Sequence, residues 1–396
     1  MAGLATRVPS PGGALGRMPL RNLLRAPRRT LLTVLGIAAA VTTAVGVTGM
    51  VDSFAATIHE SDVALVGPSR DRMAVGLAGF VPQNAPVVAR IAADPRAAVT
   101  EPAVLVPATI GAGAKRIDVA LEVMDAGSAI FRPGLSAGRL APGDTGIVIT
   151  KKAASDLGVG VGDPIVVRHP VRVGPTALRT EDSTVRVAGL VPNPLRIYAY
   201  MDRSQAGLLN LTGLTNLVNV QPKPGVSTDA LKRSLLRVDG VASADRVAAA
   251  SEALDEALGR YNDILRIVEL VALALALLIA FNSASIAADE RAREHATMFA
   301  FGVPMRTVLR NAMAEGAATG ALATLVGVAG GFLVIRYIVE VTTPRVLPDL
   351  GAVVSISTET ILIAALLGVV AATLAPLLTI RKLSRMDVPS TLRVVE

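Results

Sequence analysis

Residues 30–51 read TLLTVLGIAAAVTTAVGVTGMV, 22 positions without one ionisable side chain. An α-helix rises about 1.5 Å per residue, so this run covers the roughly 30 Å hydrocarbon core of a bilayer. Three further runs share the property: Leu270–Ala288, Gly316–Ile335 and Thr360–Ile380. Charge closes each of them. Arg28 and Arg29 precede the first, Glu269 and Asp289 bracket the second, Glu315 and Arg336 the third, and Glu359 and Arg381 the fourth. The sequence therefore predicts four membrane-spanning helices. A cleaved signal peptide is the weaker reading of the first run, which exceeds the roughly 7–15 residues of a signal's apolar core and ends without a small-x-small site.

Composition points the same way, with 52% hydrophobic residues, 18% charged residues and a mean hydropathy of +0.53. The chain has no cysteine, which excludes disulfides, thiolate metal sites and cysteine nucleophiles. With three histidines, any metal site would have to be built mainly from Asp and Glu. The net charge of +7 is distributed unevenly. Residues 52–263 contain 22 Lys+Arg and 22 Asp+Glu, leaving 17 basic and 10 acidic residues for the rest of the chain. Residues 1–30 hold six arginines and no acid; Arg291, Arg293, Arg306 and Arg310 lie between the second and third runs, and Arg381, Lys382, Arg385 and Arg393 follow the fourth. By the positive-inside rule both termini and the middle loop are cytoplasmic. The only large domain outside the bilayer is neutral, which argues against nucleic-acid binding.

The expected fold class is an α-helical multipass membrane protein, with four transmembrane helices and a large α+β extracytoplasmic domain inserted between helices 1 and 2. The expected boundaries are a basic amphipathic cytoplasmic segment (1–29), helix 1 (30–51), the outer domain (52–263), helix 2 (264–288), a cytoplasmic loop (289–315), helix 3 (316–336), an outer loop (337–358), helix 4 (359–380) and a cytoplasmic tail (381–396). Within the outer domain two similar modules bracket the middle. Asn84–Ala93 reads as a short amphipathic helix, Asp94-Pro95 as a turn and Val99–Val106 as extended; Thr228–Val238, Asp239-Gly240 and Val241–Val247 repeat that pattern. Together they are expected to form two halves of one α+β subdomain. Gly146–Thr150, Pro164–His169 and Thr184–Leu190 read as strands between them. Gly158-Val-Gly-Val-Gly-Asp163 runs into a strand and lacks the helix N-terminus that an anion loop uses, so it reads as a tight turn. His59, His169 and the domain's carboxylates form no metal-ligand spacing and no triad, and a solvated surface role is expected for each.

Local motifs add a resemblance. Arg21-Asn-Leu-Leu-Arg25 through Arg28-Arg-Thr-Leu-Leu-Thr33, the loop Glu290-Arg-Ala-Arg-Glu294 with Phe299-Ala-Phe-Gly302, and Glu315 at the start of the third run are similar to signatures of the MacB/FtsX-type permeases. Gly138-Arg-Leu140, Ile147-Val-Ile149 with Ala153, Leu157-Gly158, Gly162-Asp163 and the terminal Thr391-Leu-Arg393 also resemble that family. His295, Ala296 and Phe301 depart from its usual β-branched residue, glycine and leucine. The resemblance implies a permease subunit that couples ATP hydrolysis by a cytoplasmic ABC ATPase to motion of its outer domain. It further implies pairing with a second permease subunit, as a homo- or heterodimer in the plasma (inner) membrane. None of the six lysines follows a glycine, so the chain carries no phosphate-binding GK motif. On this reading the chain binds no cofactor directly, ATP acts through the partner subunit, and the chain has no catalytic residues and no metal site.

The implied ATPase contact is a coupling helix comprising Arg291, Arg293, Glu294, Met298, Phe299, Phe301, Gly302 and Pro304. Gly302-Val303-Pro304 stops that helix, because proline cannot continue the hydrogen-bond ladder and glycine permits the turn. The competing reading lays Met298–Phe301 into the headgroup region as an amphipathic surface helix. Arg17–Arg29 is read in the same two ways. In helix 3, Gly316, Gly320, Gly327 and Gly331 fall on one stripe and predict a helix–helix seam, within the chain or to a second permease. Glu269, one turn beyond Arg266, reads as an interfacial residue, and Leu254–Ala288, with a single glycine and no proline, as a helix extending outward as a stalk. Two other functions stay open on sequence alone. One is a mechanotransmitting protein that activates an extracytoplasmic partner, such as a cell-wall hydrolase, without transport; the other is a receptor or adhesin unrelated to ATP. With 11 aromatics (7 Phe, 4 Tyr) and no Trp, no aromatic-lined pocket points to a substrate, and lipid, lipoprotein, peptide and hydrophobic drug all fit.

Overall fold

The computed structural model describes residues 27–66, 69–174, 177–290, 298 and 301–378. The chain divides into two compact units, one of residues 1–53, 260–339 and 354–396, the other of residues 54–259 and 340–353.

The second unit is built on ten strands: β1 (Met73–Pro82), β2 (Ala97–Ala112), β3 (Lys115–Met124), β4 (Ala137–Gly138), β5 (Ile147–Thr150), β6 (Pro164–Arg172), β7 (Leu178–Val191), β8 (Tyr198–Asp202), β9 (Leu214–Pro222) and β10 (Val241–Arg246). Two layers share β2. In the first, the order β10-β1-β9-β2 is antiparallel throughout. Its helices follow β1 and β9: Pro86–Ala92 with proline at its first turn, and the strongly amphipathic Thr228–Leu235. Val88 and Ile91 from one helix and Leu231 and Leu235 from the other bury against Met73, Val75, Val218, Val220 and Ala244. The two modules read from sequence thus lie in a single split β-α-β layer.

The second layer closes on itself. β2 pairs with β3, β3 with β8, β8 with β5, β5 with β7, β7 with β6, and β6 back with residues 109–111 of β2. The result is a six-stranded barrel, filled by Val106, Ile110, Val119, Leu121, Ile147, Ile149, Ile165 and Val167. The short helix Lys151–Leu157 lies against it, opened by the Thr150 hydroxyl, which accepts from Ala153 N–H, and closed by left-handed Gly158. Gly158–Asp163 is a turn in which Gly160 N–H donates to Asp163 Oδ2 and Gly162 adopts φ +96°. His169 corrects an expectation. Strand β6 buries Ile165, Val167, His169 and Val171 in period two, so the imidazole is 3% exposed and shares a 2.8 Å hydrogen bond with Ser183 Oγ. His59 is exposed.

The first unit is helical. It draws on α1 (Pro27–Val66), α5 (Ala249–Glu290), α6 (Met305–Tyr337) and α7, where α7 is Thr358–Ala365, a π-helical turn Leu366–Val370, and Ala371–Leu378; α2, α3 and α4 denote the three short helices above. Among the described residues three helices are long and apolar enough to cross a membrane: Thr30–Val66, Met305–Val346 and Thr358–Leu377. The second expected span falls on α5, whose described apolar stretch is Leu270–Asn282. The helices outrun the apolar runs, because hydropathy marks where a helix can meet lipid and not where its hydrogen bonds end. At the start of α7 the N-cap Ser357 accepts from Thr360 N–H, and Asp52 of α1 accepts from Ser357 N–H at 2.8 Å and from the Thr360 hydroxyl at 2.7 Å. A carboxylate there satisfies orphan donors at the positive end of the helix. At the adjacent residue of α1, Ser53 Oγ accepts from Ser355 N–H at 3.0 Å.

Candidate coupling site and helix seam

Of the residues read as an ATPase contact, Arg291, Arg293, Glu294 and Phe299 lie outside the described residues; Met298, Phe301, Gly302 and Pro304 lie within them. Their geometry is that of a helix end. Val303 N–H donates to Met298 O at 3.0 Å while Gly302 adopts φ +78°, the six-to-one bond and left-handed residue of a Schellman motif. Only glycine takes that conformation without strain. Pro304 then stands immediately before α6 as its N-cap, and its carbonyl accepts from Thr307 N–H. The turn leaves Phe301 84% exposed. An aromatic held in that position costs solvation unless a partner or a lipid surface covers it.

The glycine stripe of α6 meets two different helices. A Cβ on Gly316 would collide with the backbone carbonyl of Ala372, and one on Gly320 would lie 2.5 Å from Gly368 O, so the lower half of the stripe lies against α7. On Gly327 and Gly331 it would fall 2.6 Å from Val41 Cβ and 2.5 Å from Val45 Cγ1, so the upper half lies against α1. The Thr42 hydroxyl donates to Gly327 O at 3.1 Å across this crossing. The sequence reading missed further close approaches at Gly36 (to Ile279 of α5), Gly49, Gly330 and Gly368. Gly36 and Gly49 lie on α1 and Gly368 on α7, while Gly330 is on α6 one position off the Gly327–Gly331 spacing and meets Thr42, so that spacing did not include them. The segments 1–26 and 379–396, with Arg17–Arg25 and Thr391–Arg393, and the side chain of Glu269 lie outside the described residues.

In the outer unit a buried charge appears that no local motif announces. Arg72 is 4% exposed; its Nη2 donates to Leu65 O at 2.8 Å, and its guanidinium lies 3.9 Å over the Phe131 ring. Burial lowers its pKa, opposed by the pull of Glu122, Tyr200 and Glu101. Burial pushes the Glu122 carboxyl up, against the pull of Arg72 and a hydrogen bond from Asn219, and pushes the Tyr200 hydroxyl up as well. For Asp202 burial acts upward too, but hydrogen bonds from Ser204, Gly143 and Ala126 outweigh it and hold the carboxyl below its ordinary value. Among the described residues no group of His, Asp and Glu is arranged to hold a metal ion.

Residues 30–238 match the MacB-like periplasmic core domain, and residues 266–388 match the FtsX-like permease C-terminal domain. The chain belongs to the MacB/FtsX-like ABC transporter permease family. This permease is accordingly a membrane protein with a large extracellular domain, and members of its family work with a cytoplasmic ABC ATPase. Among solved structures it is similar to the periplasmic region of MacB from Actinobacillus actinomycetemcomitans, at 12% identity over 50% of this chain and 97% of that one, with a TM-score of 0.33. It is also similar to the extracellular domain of the noncanonic ABC-type transporter YknZ from Gram-positive bacteria, at 15% identity over 41% of this chain and 91% of that one, with a TM-score of 0.30. No curated protein matches the permease.

Proposed function

We propose that the chain couples ATP hydrolysis by a separate ATPase subunit to motion of its outer domain, for export or extraction of a substrate of the cell envelope. Both termini and the 289–315 loop face the cytoplasm, the membrane is the plasma (inner) membrane, and the working unit contains two permease subunits. Phe301 carries the reading: an aromatic side chain 84% exposed, fixed by the left-handed Gly302 turn directly ahead of α6, on the segment that also holds Arg291, Arg293, Glu294 and Phe299. A large apolar side chain presented rigidly among charged neighbours has the character of an interface anchor. Co-purification after mild solubilisation tests it. The wild-type chain should bring down an ATPase, and Phe301→Ala and Glu294→Ala should each lose most of it while the chain itself remains folded. If no ATPase accompanies the wild type and neither substitution changes anything, the reading is wrong.

A further inference from the structure

Residues 340–353 lie on the connection between α6 and α7, yet by their contacts they belong to the outer unit. The chain leaves α6 through a π-helical turn, Ile338–Thr342, and the boundary between the units falls inside that turn. Single π turns in otherwise regular helices often mark functional sites. Beyond it the connection is stitched to the loop between β7 and β8. Arg196 N–H donates to Asp349 O at 3.0 Å and Gly351 N–H to Pro194 O at 2.7 Å, one on each side of the antiparallel bridge pair Leu195 and Leu350. The Arg196 side chain closes the same contact, with Nε 2.7 Å from Asp349 Oδ1 and Nη1 3.3 Å from Asp156 Oδ2 of α3. Two residues further on, Val353 N–H donates to Thr57 Oγ1 of α1 at 2.9 Å.

This seam is held mainly by polar contacts. Leu195 and Leu350 are only half-buried, and the Asp349 side chain is 58% exposed. The barrel behind it rests on Ile147, Ile149 and Ala199, each fully buried. A hydrogen bond exchanged with water contributes little net stability, and an ion pair open to solvent contributes less, whereas burial of large apolar side chains contributes most. The seam therefore opens at a much smaller free energy than the barrel does.

We propose that residues 349–353 form a releasable clasp. Closed, it makes the α6–α7 connection move with the barrel; open, it leaves α1 and α5 as the outer unit's attachments to the helices. The clasp does not rest on the ATP-coupling reading and is tested without an ATPase.

The experiment is hydrogen–deuterium exchange on the full chain in nanodiscs. The amides of Arg196 and Gly351 should exchange together, about a hundredfold faster than those of β5 and β8. Arg196→Ala should speed both about tenfold further and leave β1, β9 and β10 unchanged. Asp349→Ala, at an exposed position, should act in the same direction and carries the test should Arg196→Ala fail to fold. Cysteines at 195 and 350 offer the opposite change, since the bonds flank this pair as in a non-hydrogen-bonded pair, whose Cα atoms stand about 4.5 Å apart, within disulfide range. The chain has no other cysteine. Oxidised Leu195→Cys/Leu350→Cys should slow both amides at least tenfold, and a reductant should reverse it. Bilayer thickness, which tilts or shifts membrane helices, should shift the wild-type opening: the two amides should differ at least threefold between dimyristoyl and dierucoyl phosphatidylcholine while β5 stays the same. Three results overturn the proposal: a seam exchanging as slowly as β5 and β8, no response to Arg196→Ala and Asp349→Ala, or no response to thickness.

Discussion

The two units fill their interiors with different proportions of large and small side chains. In the outer barrel the interior is Ile147, Ile149, Ile165, Val167 and Leu121, each at most 1% exposed. In the helical unit the buried stripe of α6 is small through its middle, with Thr319, Gly320, Ala323, Gly327 and Gly331 between Val308 and Ile335, while Leu322, Leu325 and Leu333 stand 48–69% exposed. Water drives large apolar side chains inward, and each Å2 removed from it is worth about 25 cal/mol. Lipid gives no such drive, because hydrocarbon chains solvate leucine as well as a protein core does. What remains is close packing, and small residues let backbones approach. The contrast is physical support for the membrane assignment that owes nothing to hydropathy averages.

If the contrast is right, equal changes should act differently in the two units. Ile149→Ala removes a fully buried side chain from the barrel and should destabilise the outer unit by about 2–5 kcal/mol. Hydrogen exchange of β5, β7 and β8 in the full chain would show the loss. In the helices the sensitive direction is reversed. Gly320→Ala should gain up to about 1 kcal/mol in helix propensity yet lose about 1–3 kcal/mol to the collision with Gly368 O, a net loss of thermal stability in detergent. Gly46→Ala, whose Cβ would rest at an ordinary 3.7 Å from Val334, should be neutral or stabilising. Equal effects of the two alanines would break the comparison. Asp52→Ala should cost about 0.5–2 kcal/mol by removing the second acceptor at the start of α7, read as a lower melting temperature with the outer unit's exchange unchanged.

The smallest effect concerns pH. Asp202 has a folded-state pKa below its unfolded one, so its stabilisation is fully present above the unfolded value and is lost as pH falls through the folded value. Asp202→Asn should therefore flatten the acid limb of the outer unit's stability curve. A limb of unchanged slope would place the acid sensitivity elsewhere.

Sequence carried the features that depend on neighbouring residues. Three of the four ion-free runs fall on helices long and apolar enough to cross a membrane, the paired helix-turn-strand patterns found the split layer, and the two glycine pairs of α6 found its packing face. Features made by distant partners were not legible. Closure of the barrel depends on residues 109–111 of β2 meeting residues 166–168 of β6, which no local pattern encodes. His169 looked like a surface residue because its type is polar, whereas strand parity and Ser183 across the ladder decide its burial. Asp52 looked like the charge that ends a span, and its role as a cap belongs to a helix that begins some 300 residues later. The aromatic and carboxylate neighbours of Arg72 come from β2, β3, β8 and the loop after β3, so its burial carries no motif.

The strand order of the split layer sets a timetable for synthesis. β1 and β2 are not neighbours; β9 lies between them. A strand completed at Ala112 therefore waits for one that begins at Leu214, a gap of 214 − 112 = 102 residues. At roughly 5–20 residues per second the wait is about 5–20 s. Meanwhile β2 forms its hairpin with adjacent β3, and the last strand of the barrel is finished at Asp202, before β9 begins. All six strands of the barrel are thus synthesised before β9, the partner of the near half of β2 and of β1, exists on the emerging chain. Those seconds are when this protein is most exposed to aggregation, and a holding factor on the receiving side of the membrane would act on that interval.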